Sequence, residues 1–452
     1  MKFHIIKKIR NAAILLLCSA LMGASLLTLI FLLPVEGARA HVEESLYEML
    51  EIKEDDNGDG GRRFIVGLKE NFTDTLMVQN ALERVEGKNA LEHAMYIFHH
   101  DLQDDTTWMT EKSLPAFLRQ GTDGMYLKEY SKYWHGYLIY LKPLLMCMSW
   151  RHAETFMLIF QLLLLAVTAA VSVIKKQAYF GCGAVFTTLM MKPLYIWFSP
   201  DMSVCLSIAL TAVLALLLFG GKLKRKDWFA EFFLMIGVVT AYLDFLTYPV
   251  VTLGIPLCVW LVQNMDDFVG TAKKLKSFLG LCVSWAAGYV GMWGMKWILA
   301  EATCRTGTLR NAMWSIIFRT EPLDGYHSAL SGVKRTVQAV FAQYDSPFYW
   351  IVFGVAVFAA AASGVVCLLK ARNARWGITV ICLLAAGCFP FGWLILTQNH
   401  TAIHCSFTFR IIGVTFMALC CVTTVSVLNI LNLRRTGEKE TAFITEKIEQ
   451  AS

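Results

Sequence analysis

The stretch AAILLLCSALMGASLLTLIFLL, Ala12–Leu33, decides the fold class. It carries no charge over 22 residues, and about 20 apolar residues are what a helix needs to cross the bilayer's hydrocarbon core. Lys7, Lys8 and Arg10 precede it, and Ala38-Arg39-Ala40 follows, which imitates a secretory signal with its cleavage site. The run is too long for a usual signal core, so it reads as an uncleaved first helix with its basic flank in the cytoplasm.

The same composition extends along the chain. Of 452 residues, 56% are hydrophobic and 17% charged, whereas a soluble domain has about a quarter of its residues charged. Further apolar segments lie at approximately 155–174, 178–198, 202–220, 228–243, 250–264, 277–300, 348–369, 376–397 and 410–431. With the first, the expectation is an all-α polytopic membrane protein of about ten transmembrane helices. The net charge of +6 does not point to nucleic acid, because its basic residues sit in short clusters between apolar runs. Lys175-Lys176, Lys222 to Lys226, Lys273 to Lys276, Lys370 to Arg375 and Arg434-Arg435 all fall on one side when the segments are threaded in order. That side is the cytoplasm by the positive-inside rule. Both termini are then inside, and the alternate loops, including Ser199-Pro200-Asp201, face out.

Four parts follow: a first helix over 1–35, an extracytoplasmic loop over 36–153, a multi-helix domain over 154–433 and a cytoplasmic tail over 434–452. The segments flanking Asp244 to Pro249 are short, which also suits a re-entrant arrangement. Most of the thirteen cysteines lie inside apolar runs as small hydrophobes. Cys304 and Cys405 fall in outer loops, where pairing stays open.

The loop holds 20 of the 35 acidic residues and six of the ten histidines. Asp55 to Gly60 matches the first half of a calcium loop, but Val66 stands where a bidentate Glu belongs, so a solvated linker is the better reading. Asn71 or Thr73 is expected to cap a helix running to about Glu86, with Gly87 as its stop. Ala90 to His100 reads as a second amphipathic stretch. Tyr126 to Met148, dense in Tyr and Trp, reads as a helix lying in the headgroup layer.

Glu70 and Asp74 lie four apart at the helix start, where carboxylates are favoured by the dipole. There they suit a general base or a divalent-cation ligand, and equally a cap and a surface acid. His93, His99, His100 and Asp101 cluster without any metal-binding spacing. Lys192, deep in an apolar run, is either functional or snorkels to the interface. The last outer loop, Gln398 to Arg410, carries His400, His404 and Arg410, which suit a phosphate-bearing ligand. Asp244 joins them as a substrate-binding candidate.

One helix, a large acidic outer loop with interfacial helices, and many further spans resemble the GT-C class of membrane glycosyltransferases, and Asn399-His400-x3-His404-x5-Arg410 is similar to a pattern in poorly characterised bacterial proteins of that type. The resemblance implies that a polyprenyl-phosphate sugar enters from the bilayer and is transferred, on the outer face, to a glycan or protein acceptor. It implies Asp74 or Glu70 as catalytic base or ligand of a divalent cation, and Arg410 with His400, His404 or Lys192 as holders of the lipid phosphate. The family's acids usually follow the first helix closely, which makes Glu43 and Glu44 rivals. From other classes, a transporter or flippase for a lipid-linked or small polar substrate, or a non-catalytic assembly subunit, stands as the alternative.

Overall fold

The basic ends of the apolar helices meet at one end of a bundle, and the acidic loop is packed into the other. The computed structural model describes residues 2–50, 71–104, 108–266, 271–305, 307–321, 329–371 and 373–451. Helix α1, Lys2–Leu32, is followed by α2, Glu36–Leu50, α3, Asn71–Leu82, and α4, Ala90–Tyr96. Strand β1, Phe98–Asp101, precedes α5, Thr110–Gln120; β2, Tyr126–Glu129, precedes α6, Leu138–Cys147. Then come α7, Trp150–Ile174, α8, Ala178–Met190, α9, Pro193–Trp197, α10, Pro200–Lys226, α11, Phe229–Leu243, and α12, Val250–Gln263. After α13, Thr271–Cys304, and α14, Thr308–Thr320, the chain forms α15, Ala329–Ala342, α16, Pro347–Lys370, α17, Ala374–Gly387, and α18, Phe389–Leu396. Helices α19, Gln398–Ile403, and α20, Cys405–Thr408, with a 3-10 turn at Phe409–Ile412, lead into α21, Gly413–Ala451.

This is a helical membrane protein. Among the described residues seven helical segments are long and apolar enough to cross a bilayer: Ile6–Leu32, Trp150–Ile174, Pro200–Lys226, Thr271–Cys304, Pro347–Lys370, Ala374–Leu396 and Cys405–Asn432. The other three segments of the ten-span expectation coincide with α8, α11 and α12, of 13, 15 and 14 residues. At 1.5 Å per residue each is about 20 Å long, short of a hydrocarbon core of about 30 Å. Their ends have local causes. Lys192 turns left-handed at φ 54° between α8 and α9, and Asp244 closes α11 by accepting from Leu246 N (2.9 Å) and Thr247 N (3.2 Å). Helix α12 is apolar all round, and all of it but its last residue is buried, so it forms the centre of the bundle.

Four contacts gather the basic ends. Lys8 pairs with Asp227 at 2.7 Å, Gln263 donates to Gln177 beside Lys175-Lys176, Lys274 donates to Thr379, and Asn373 donates to Asn429. Helices α11 and α13 cross with backbones in contact. A Cβ on Gly237 would stand 2.8 Å from Tyr289 N and closer still to Trp285 O, and one on Gly288 would meet Leu234 in the same way. Glycine at both positions is what permits that approach.

The acidic loop is a packed cap on the opposite end. Helix α4 starts with a capping box between Asn89 and Glu92. Its last carbonyls, Ala94 O and Met95 O, accept from the buried Lys296 of α13 at 2.7 and 3.1 Å. Trp134 and Trp297 fasten the cap further, donating to Met292 O and Lys132 O.

Expectations for the acidic loop change. The stretch from Tyr126 is no helix at first: Tyr126–Glu129 pairs antiparallel with Phe98–Asp101, and Tyr133, Trp134 and Tyr137 are buried instead of lying among headgroups. Glycine 136 allows the chain to approach Tyr242, whose carbonyl accepts from Gly136 N at 2.9 Å. Helix α3 ends at Leu82, because Glu83 turns inward to accept from His100 N and Nδ1 at 3.1 and 3.0 Å. All thirteen cysteines, Cys304 and Cys405 included, are free thiols.

Candidate functional site

Asp74 lies in the first turn of α3 and is 3% exposed. Its Oδ1 accepts from Ser199 Oγ at 3.1 Å, and the same Oγ accepts from Met202 N as the N-cap of α10. Pro200 at the first helical position and Asp201 in the first turn complete a strong helix start. The carboxylates of Asp74 and Asp201 therefore sit in the first turns of α3 and α10.

The structure brings three of the sequence candidates into one neighbourhood. The charges of Asp74, Asp201 and Asp244 all act on the Tyr140 hydroxyl, and those of Asp201, Asp244 and Arg410 all act on the Tyr248 hydroxyl. Arg410 is fully buried, donates from Nη1 to Ser406 O at 2.9 Å and rests over the Phe409 ring. Glu70 and the calcium-like Asp55 to Gly60 lie outside the described residues. Glu43 is an exposed partner of Arg39 (3.1 Å) on α2. Lys192 is ion-paired with Asp345 at 2.7 Å and lies over the Tyr349 ring.

Tyr140 also lines an apolar cleft of about 830 Å³ between α6, α7, α10 and α11, where Pro143, Phe160, Ile208, Ala215 and Met235 form the walls. The Tyr140 hydroxyl is buried and has no hydrogen-bond partner among the described residues. Tyr140 thus links the cleft to the electrostatic neighbourhood of the acids, none of which is among its lining residues.

A polar layer covers the acids. Asn80 donates to the Tyr137 hydroxyl (3.1 Å), which donates to His135 Nδ1 (3.1 Å), and His135 Nε2 donates to Tyr130 O (2.9 Å). Burial, foremost, holds His135 well below the usual histidine range, so it is neutral, as this relay requires. His93 is likewise structural, accepting from Val85 N and donating to Asn89 O. Among the described residues no group of three or more His, Cys, Asp or Glu gathers in metal-binding geometry.

His400 and His404 belong to a second cavity, of about 380 Å³, with Lys132, Ser315 and Arg319. His400 Nε2 donates to Leu246 O at 2.9 Å, two residues from Asp244. Burial pushes His404 down to about 4 and His400 well below the usual range. It also brings Lys132 down to about 8, assisted by the Arg319 guanidinium.

Sequence reading passed over Asp201, Lys132, Arg319 and Tyr140. Asp201 had a signal in Ser199-Pro200-Asp201, a helix start with an acid in its first turn. Arg319 had one in its place at the end of the apolar run Met313 to Phe318. Comparison with known families, curated proteins and solved structures gives no match to this chain.

Proposed function

We propose that this chain is a membrane glycosyltransferase that moves a sugar from a polyprenyl-phosphate donor to an acceptor hydroxyl on the outer face of a cell membrane, with both termini in the cytoplasm. The observation that carries the reading is that Tyr140, a lining residue of an apolar cleft, has its buried hydroxyl within reach of the charges of Asp74, Asp201 and Asp244. A lipid tail of isoprene units suits such a cleft, since its walls are almost wholly apolar and face the bilayer. Its phosphate-linked sugar then lies beside buried carboxylates. Asp74, held by Ser199 and by two helix N-termini, takes the acceptor's proton. The acceptor oxygen bonds to the anomeric carbon, and the bond from that carbon to the phosphate oxygen breaks, its electron pair leaving on the lipid phosphate. Arg410 and His404 are the proposed cationic and donor groups for that phosphate, and His400, which donates to Leu246 O, positions them.

The experiment is glycan analysis of cells carrying Asp74→Asn beside wild type, with membrane abundance of the chain measured in both. Asparagine keeps an acceptor for Ser199 but cannot take a proton, so glycan transfer is lost at unchanged abundance. Unchanged glycans remove Asp74 as the base.

A further inference from the structure

Beneath α14 lies a cavity whose polar groups are nearly all cations or neutral donors. Lys132, Ser315, Arg319 and His404 line it, while Trp314, Phe318 and Ile403 form its apolar wall. Among the described residues no acid lines it and no carboxylate pairs with Lys132 or Arg319. Both cations rest on aromatic faces instead: Lys132 Nζ lies 5.3 Å over Tyr130, and Arg319 Cζ 5.4 Å over Tyr133. Lys132 Nζ also donates to Ser315 Oγ at 3.0 Å, which fixes its head at the cavity wall. Two positive charges held together without a counter-ion repel each other, and an anion between them relieves that repulsion.

The placement of α14 selects the source of the anion. Leu309, Met313, Ile316 and Ile317 recur at helical spacing and are exposed, at 45%, 56%, 39% and 41%. Arg310 and Arg319 flank that apolar stripe on the same helix. An amphipathic helix of this kind lies at the level of lipid headgroups, its apolar face among the acyl chains. It follows directly on the end of membrane-crossing α13 that carries the cap. The cavity under it therefore opens where a lipid's phosphate resides.

We infer that the α14 cavity is a binding site for the phosphate group of a membrane lipid, held by Lys132 and Arg319. His404 supplies a neutral N–H, whereas His400, whose Nε2 proton is spent on Leu246 O, acts as a positioning residue. This deepens the reading above only in naming which residues hold a lipid phosphate. It rests on the cavity and the membrane placement, so a binding measurement tests it without turnover.

The experiment uses the full chain in detergent micelles with three probes: farnesyl phosphate, farnesol and inorganic phosphate. Farnesyl phosphate is expected to bind, and Lys132→Met and Arg319→Gln each to weaken it by about tenfold or more, as loss of one charged contact to phosphate does. Arg319→Lys is expected to recover part of that loss. Inorganic phosphate competes, but about tenfold more weakly than the lipid phosphate. Equal binding of farnesol and farnesyl phosphate overturns the proposal, as does unchanged affinity in folded Lys132→Met and Arg319→Gln. Inorganic phosphate binding as tightly as farnesyl phosphate overturns the lipid source. Hydrogen exchange on the wild-type chain serves if a variant does not fold: farnesyl phosphate slows exchange over residues 308–320, and no protection there overturns the site.

Discussion

The crossing of α11 and α13 is the most exposed mechanical feature of the molecule, and Gly237→Ala probes it. The added methyl carbon would stand 2.8 Å from Tyr289 N and nearer still to Trp285 O, whereas real Cβ atoms essentially never come within 3.0 Å of another heavy atom. Both neighbours are backbone atoms of a helix, so no side chain can rotate away. The helices must separate by several tenths of an ångström along the whole crossing. Overpacking of this kind costs about 1–3 kcal/mol, and rigid backbone on both sides puts the cost toward the upper end. Separation also carries further: α11 ends at Asp244, which holds Leu246 for His400, and α13 leads into α14 with Arg319. Gly288→Ala meets Leu234 across the same crossing, so the double variant costs less than the sum of the two. Thermal unfolding in detergent is the assay. We expect each single variant to melt several degrees below wild type and the double variant to be sub-additive. A Gly237→Ala chain with wild-type melting refutes the close crossing.

Three further outcomes follow from the geometry. Binding of farnesyl phosphate falls as pH rises through about 8, because burial and the Arg319 charge hold Lys132 near that value and its proton is lost there. His404, held at about 4, is neutral throughout the neutral and alkaline range and adds no second limb; an affinity that stays flat into the alkaline range contradicts this. Ala215→Trp narrows the apolar cleft and raises the apparent KM for a long-chain donor about tenfold with kcat little changed, while an unchanged KM places the tail elsewhere. Lys192→Met leaves farnesyl phosphate affinity within about twofold, since Lys192 is engaged by a largely exposed Asp345; a tenfold loss returns Lys192 to the phosphate.

The membrane class was legible in Ala12–Leu33 and its successors, because burial in lipid is written in composition. So was the helix start at Asn71 to Asp74, whereas Ser199-Pro200-Asp201, read as an outer loop, begins α10. What the sequence did not carry is how those starts meet. Asp74 reads as one of a local pair with Glu70, yet the structure joins it to Ser199, more than a hundred residues away. The strand Tyr126–Glu129 was lost because a period of two over four residues is too short to stand out from neighbouring aromatics. Lys132 and Arg319 lie 187 residues apart, and nothing local to either marks a site. Their shared cavity arises only when α14 folds back over the cap. Helix α8 counts as a span because its apolar run continues past the break at Lys192, while the segments at α11 and α12 are short in the sequence too and suit a re-entrant arrangement.

The most direct measurement of the central claim is sugar transfer in liposomes containing the purified chain, supplied with a panel of radiolabelled polyprenyl-phosphate monosaccharides and an envelope-glycan acceptor fraction. The account predicts transfer from at least one donor, lowered by a factor of about 10²–10⁴ in Asp74→Asn, the range expected when a general base is removed. Because asparagine still accepts from Ser199, the variant's melting stays near that of wild type. Transfer by Asp74→Asn at the wild-type rate contradicts the account.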